Sequence, residues 1–138
     1  MTYLLDTDIL SNLLRRVPST TLIAKLASIP VEQQFTSSIT LGELIYGAYR
    51  QRTRTDALLE QIENTLLPNL PVLPFNDAAA KRYGEVRAQL ERQGTPLADA
   101  DLRIGAIALA RGFTVVTGNV RHLQRVPGLV VENWLVDP

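Results

Sequence analysis

A chain of 138 residues is long enough for one hydrophobic core and too short for two, and a hydrophobic fraction of 46% places it among globular rather than disordered proteins. Fourteen basic residues balance fourteen acidic ones, so bulk charge gives no argument for a polyanionic partner. The absence of cysteine excludes a disulfide framework and a thiolate metal site, and the lack of a basic flank before a long apolar run, or of about 18 consecutive apolar residues, argues against secretion and membrane spanning and for a reducing cytoplasm.

The stretch Tyr3–Asp8 reads as a short buried strand that delivers Asp6 to its C-terminal end, followed at once by the helical spacing of Ile9, Leu10, Leu13 and Leu14. Asp8 or Ser11 is the expected cap of that helix. Pro18-Ser19-Thr20 starts a second helix through Leu22, Ile23, Leu26 and Ile29, which Pro30 stops. Gln34–Ile39 carries β-formers and alternates, which predicts a second strand. Thr40 and Glu43 stand at capping-box spacing and open a helix through Leu44, Ile45, Tyr46 and Tyr49. A polar break at Arg50–Thr55 separates it from helical periodicity over Asp56–Leu67.

Pro68 and Pro71 bracket a turn and confine Val72-Leu73-Pro74 to a short strand. Asn76 or Asp77 caps a long helix from Ala78 to about Gln93, and Gly94-Thr95-Pro96 ends it. Asp99–Arg111 is a further helix with Gly112 as its stop, Phe113–Thr117 is the clearest strand, Asn119–Arg125 a short helix or turn, and Leu129–Val131 a last edge strand. No repeat or linker divides the chain, so residues 1–138 read as a single domain. Strands that alternate with helices predict an α/β fold, a three-layer α/β/α sandwich around a mainly parallel sheet of four to five strands.

In such a sheet, strand C-termini and the N-termini of the helices that follow them meet at one edge. Asp6, Glu43 and Asp101, separated by 37 and 58 positions, are thereby brought to one place, and Asp8 and Asp99 stand two residues from Asp6 and Asp101. Each acid also has a structural reading, as a helix cap, half of a capping box or a complement to a helix dipole. Crowded carboxylates raise one another's pKa unless a cation intervenes. An all-oxygen site suits a hard ion, Mg²⁺ or Mn²⁺, and such ions serve phosphoryl chemistry without a protein nucleophile. The single histidine, His122, reads as a surface or structural residue.

Leu4-Leu-Asp-Thr-Asp8, Ser37-Ser-Ile-Thr-Leu-Gly-Glu-Leu-Ile-Tyr-Gly47 and Asp101-Leu-Arg-Ile-Gly-Ala-Ile-Ala-Leu-Ala-Arg-Gly-Phe-Thr-Val-Val-Thr-Gly-Asn119 together resemble the PIN domain. The ending, from Asn119 through His122 and Pro127-Gly-Leu to Glu132-Asn-Trp134, is similar to the VapC toxins of bacterial toxin–antitoxin pairs. The resemblance implies a dimeric, Mg²⁺- or Mn²⁺-dependent endoribonuclease held inactive by a VapB-type antitoxin. It further implies that metal-activated water attacks an RNA phosphodiester in line and leaves 5′-phosphate and 3′-hydroxyl ends. By position Asp6, Glu43 and Asp101 match the family's acidic triad, with Asp6 and Asp101, and also Glu43 and Asn119, as metal ligands. Asn119 stands where a fourth acid is often found and contributes no charge; Thr117 supports by hydrogen bonding, beside Asp8 and Asp99.

Transfer RNA or ribosomal RNA is the implied substrate, read through exposed single-stranded bases. Arg15, Arg16, Arg50, Arg52, Arg54, Arg121 and Arg125 are candidate backbone contacts, and Leu13, Leu14, Leu44 and Ile45 are expected to line a groove for an antitoxin segment. Two other readings stay open. A haloacid-dehalogenase-like phosphatase would use Asp6 as nucleophile but wants a late lysine where neither Lys25 nor Lys81 stands. A non-catalytic metal-binding signalling module would bind Mg²⁺ without turnover.

Overall fold

The computed structural model describes residues 1–136. Five parallel strands form the central sheet: β1 (Tyr3–Leu5), β2 (Gln34–Ser37), β3 (Val72–Leu73), β4 (Thr114–Val116) and β5 (Val131–Glu132), in the order β3-β2-β1-β4-β5. Seven α-helices surround it: α1 (Thr7–Leu13), α2 (Thr20–Ala27), α3 (Ser38–Arg50), α4 (Thr55–Gln61), α5 (Asp77–Arg92), α6 (Asp99–Arg111) and α7 (Val120–Leu123). No helix among the described residues is long and apolar enough to cross a membrane.

The period-two geometry of the strands divides the core into two layers. Tyr3 and Leu5 of β1 and Val116 of β4 face one side and pack with Ile9, Leu10, Leu22, Leu44, Leu58 and Trp134. Leu4 and Val115 face the other, against Ala79, Ile104, Ile107, Ala108 and Leu123. Both faces of the central strands are therefore dry, which explains why Tyr3–Leu5 and Thr114–Val116 are buried without alternation.

Helix starts differ from their sequence expectation in ways that bear on the site. Asp6 itself caps α1, accepting from the Thr7 amide, so neither Asp8 nor Ser11 does so. Ser37 caps α3 by accepting from the Thr40 amide at 3.0 Å. That helix begins as soon as β2 ends, so Glu43 lies in its second turn and the Thr40–Glu43 capping box does not form. The predicted helix Asp56–Leu67 is α4 followed by a π-helical turn, Ile62–Leu66. The widened turn lets Ile62, Leu66 and Leu67 all meet the same apolar cluster.

The strand order reverses beside β1: successive strands run outward through β2 and β3, and the chain then returns through α5 and α6 to place β4 on the opposite flank. A crevice opens beyond the carboxyl ends of β1 and β4, where doubly wound sheets hold their ligands. Gly112, with φ of 70°, ends α6 in the left-handed conformation and turns the chain into β4.

Candidate active site

Asp6 leaves the end of β1 almost fully buried, at 5% exposure. Its Oδ1 accepts from the Thr7 amide at 2.7 Å and its Oδ2 from the Thr117 hydroxyl at 2.8 Å, which ties the ends of β1 and β4 together. Thr117 has one hydroxyl proton, and the shorter contact claims it; Asp8 Oδ1 stands farther off, at 3.4 Å. The Thr117 oxygen in turn accepts from the Asn119 amide at 2.9 Å.

Asp8 is held from the β4 side, its Oδ2 accepting from the Gly118 amide at 2.8 Å. A Cβ at Gly118 would sit 2.6 Å from that same oxygen, so glycine is what allows the carboxylate so close to the backbone. Glu43 reaches back from α3, its Oε1 accepting from the Thr7 hydroxyl at 2.5 Å, with the Thr40 hydroxyl 3.2 Å from that of Thr7. Asp101, in the first turn of α6, is half-buried, and among the described residues its carboxylate accepts no side-chain or backbone hydrogen bond.

These groups share one cleft of about 380 Å³ lined by Asp6, Thr7, Asp8, Ser11, Arg15, Glu43, Asp101 and Asn119. Burial, opposed in part by the bonds from Thr117 and Thr7 and reinforced by Asp8 and Asp101, pushes the Asp6 carboxyl up to about 6. Burial likewise raises Asp101, with Glu43 and Asp8 adding to the rise and His122 opposing it. The ion pairs among the described residues, Arg82 with Glu85, Arg87 with Glu91 and Arg103 with Asp99, leave all four cleft carboxylates without a basic partner.

The donor set is therefore hard, oxygen-only and short of positive charge, which fits Mg²⁺ or Mn²⁺. Among the described residues no three acidic or imidazole side chains already converge on one point tightly enough to hold an ion. Mutual repulsion and the bonds to Thr7, Thr117 and Gly118 keep the carboxylates apart; each bonded oxygen retains a second lone pair for a cation.

The residues predicted from sequence fall into distinct places. Asp99 does not join the cluster. It pairs with Arg103 at 2.6 Å and accepts from the Tyr83 hydroxyl, and these bonds hold its carboxyl below the usual range. Asn119 lines the cleft and its Oδ1 meets His122 Nδ1, which brings that exposed histidine to the rim. Arg15 reaches the cleft; Arg50 and Arg54 line a neighbouring groove of about 280 Å³ with Leu14, Leu44, Leu58 and Ile62. Of the apolar quartet expected there, Leu14 and Leu44 are present, Leu13 lines a separate cavity beside Leu10 and Leu26, and Ile45 lines neither. Arg16, Arg52 and Arg121 border neither space, and Arg125 donates to the Pro96 carbonyl at 3.2 Å.

Thr7 and Gly118 are the positioning residues that sequence reasoning passed over, although each stands beside a residue already singled out. The lysine wanted by a phosphatase is missing from the cleft lining, and Lys25 lies over the Trp134 ring, 5.8 Å from its centroid.

Residues 3–129 match the family model described as PIN domain. The chain is 42% identical over 100 residues to the tRNA(fMet)-specific endonuclease VapC of Salmonella typhimurium, covering 71% of this chain and 73% of that protein. It is 33% identical over 142 residues to Ribonuclease VapC2 of Rickettsia felis, covering 97% and 98%. The crystal structure of VapBC2 from Rickettsia felis, bound to a DNA fragment from their promoter, contains a chain that superposes with a TM-score of 0.88 at 29% identity, covering 97% of this chain and 99% of that one.

Proposed function

Because the chain belongs to the PIN-domain family and within it to the VapC-type ribonuclease toxins of toxin–antitoxin systems, we propose that it is a Mg²⁺- or Mn²⁺-dependent endoribonuclease whose whole length, 1–138, works as one PIN-like domain. The observation that carries this reading is the cleft in which Asp6, Asp8, Glu43 and Asp101 meet with no basic side chain paired to any of them.

Asp6 and Asp101 would hold the ion, with Glu43 and Asn119 as the further candidate ligands. Bound there, Mg²⁺ or Mn²⁺ supplies the positive charge that polarises the phosphate and lowers the pKa of the attacking water. The chain's own residues fix where that happens. Thr7 and Thr117 lock the Asp6 carboxylate from two sides, Thr7 also sets Glu43, and Gly118 holds Asp8. Asp101, which accepts no hydrogen bond among the described residues, is free to turn toward an incoming cation. In-line attack by water leaves a 5′-phosphate and a 3′-hydroxyl.

The substrate is an RNA of the transfer or ribosomal class, met in the cytoplasm, with Arg15, Arg50 and Arg54 on its phosphates. A VapB-type antitoxin silences the site by laying a segment in the groove at the half-buried Leu14, whose floor is formed by the core residues Leu44, Leu58 and Ile62, and placing a cation among the acids. The active form is a homodimer. The test is cleavage of structured RNAs by purified protein in Mg²⁺, in chelator, and after Mn²⁺ is restored. Cleavage that chelator abolishes and Mn²⁺ recovers is expected; cleavage indifferent to chelator contradicts the reading.

A further inference from the structure

Helix α3 carries outward a stripe that neither the core nor the acid cleft uses. Tyr46 and Arg50 follow Glu43 by three and seven residues, which sets them on the same side of the helix. Tyr46 is 65% exposed, like Tyr49 at 64%, but of these two rings only that of Tyr46 has a guanidinium over it among the described residues, that of Arg50, 5.6 Å from the centroid. Next to them Gly47 leaves open space, since a Cβ there would meet nothing within 4 Å. The groove it opens is lined by Arg15, Arg50 and Arg54 and shares Ser11, Arg15 and Glu43 with the acid cleft, so the two are continuous.

None of those arginines is ion-paired among the described residues. A track of guanidinium groups without ion pairs runs into a phosphodiester-cleaving site, and the exposed Tyr46 ring, outside the groove's lining, is joined to it through Arg50; the combination matches a polyanion that carries splayed planar groups. Duplex RNA hides its base faces in the stack, whereas single strands offer them to aromatic and guanidinium planes. An acidic peptide would satisfy the arginines and leave the ring unused.

We infer that Tyr46, backed by Arg50, is the platform on which a base of single-stranded RNA stacks, one helical turn from Glu43, so that the adjoining phosphate enters the cleft. The inference rests on the nuclease reading and adds to it a residue that selects for unpaired RNA.

The test uses fluorescence anisotropy of the full chain, in chelator so that nothing is cut, with a short labelled oligoribonucleotide and its counterpart bearing abasic sites at the centre. Tyr46→Ala weakens binding of the base-bearing strand roughly tenfold and leaves the abasic strand unchanged, Tyr46→Trp restores the affinity, and Arg50→Ala weakens both. No loss with Tyr46→Ala, an equal loss on both strands, or a loss accompanied by a changed molar mass in light scattering overturns the inference; the last outcome would assign the ring to a contact between copies. Failure here is separable from failure of the nuclease reading. If the parent cuts RNA in Mg²⁺ while Tyr46→Ala binds normally, only the stacking claim falls. If the parent neither binds nor cuts RNA, both fall.

Discussion

Thr117 and Asp6, 111 residues apart in the chain, share a buried hydrogen bond of 2.8 Å that fastens the end of β4 to the end of β1. A hydrogen bond to a charged acceptor contributes about 2 kcal/mol, and the hydroxyl is the larger of the two bonds that restrain the rise in the Asp6 pKa. Thr117→Val keeps the shape and removes the donor. It is expected to destabilise the protein by about 2 kcal/mol at pH 8, less near pH 5, and to move the acidic limb of the pH–rate profile upward. Chemical denaturation at the two pH values and a pH–rate series check this.

The raised Asp6 pKa also sets a pH dependence of stability in metal-free protein. The folded state holds this proton more tightly than the unfolded chain, about 6 against 3.8, so its contribution is present below pH 3.8 and is lost as the pH rises through 6. Asp101, raised in the same sense, adds to the loss. Above pH 7 the buried charge therefore costs up to about 3 kcal/mol. Asp6→Asn, in chelator, is expected to raise the melting temperature at pH 7.5, with the gain vanishing near pH 4. A lower melting temperature at pH 7.5 would contradict the assignment.

Gly118→Ala puts a methyl group 2.6 Å from Asp8 Oδ2 and 3.1 Å from Leu135 Cδ1, so the carboxylate must move aside and the leucine give slightly. Because Asp8 is exposed and can swing out, the expected cost in stability is small, about 1 kcal/mol. The effect on the site is larger: with Asp8 displaced from the Gly118 amide, Mn²⁺ affinity falls several-fold. In an Asp8→Ala background the same substitution is expected to do little, and a double-mutant cycle in calorimetry measures the coupling.

Thr7 serves two acids at once, through its amide to Asp6 and its hydroxyl to Glu43. Thr7→Val retains the amide and releases Glu43, so cleavage is expected to drop by about tenfold while the fold stays intact. Thr7→Ser, which restores the hydroxyl, is expected to recover most of the rate.

The order of elements is readable from the chain because the two central strands are apolar runs bounded by a polar cap, Leu4-Leu5-Asp6 and Val115-Val116-Thr117, while β2 is marked by its β-formers. The edge where Asp6, Glu43 and Asp101 meet follows from that alternation alone. Position alone puts Asp101 rather than Asp99 with Asp6 and Glu43; what the sequence does not reveal is whether Asp99 joins it in the cleft. Asp99 and Asp101 occupy the same helical turn, and two partners decide: Tyr83 on α5 and Arg103 one turn on in α6 draw Asp99 away. The helix starts were misplaced for a related reason: Asp6 and Ser37 cap at the strand ends, earlier than the spacing at Asp8 and Thr40 suggests. Thr7 and Gly118 act through a hydroxyl and an amide that any turn could offer, and only tertiary closeness assigns them.

The proposed capture of a divalent ion by Asp6 and Asp101 beside Glu43, and the RNA cleavage that depends on it, turn on Asp101, whose carboxylate accepts no hydrogen bond among the described residues. Mn²⁺ calorimetry paired with cleavage of a structured RNA, for the parent and for Asp101→Asn, tests both. At least a tenfold loss of Mn²⁺ affinity and a rate near the chelator background are expected, with the fold unchanged by circular dichroism. Parent-like affinity and cleavage in the variant would contradict the proposed capture.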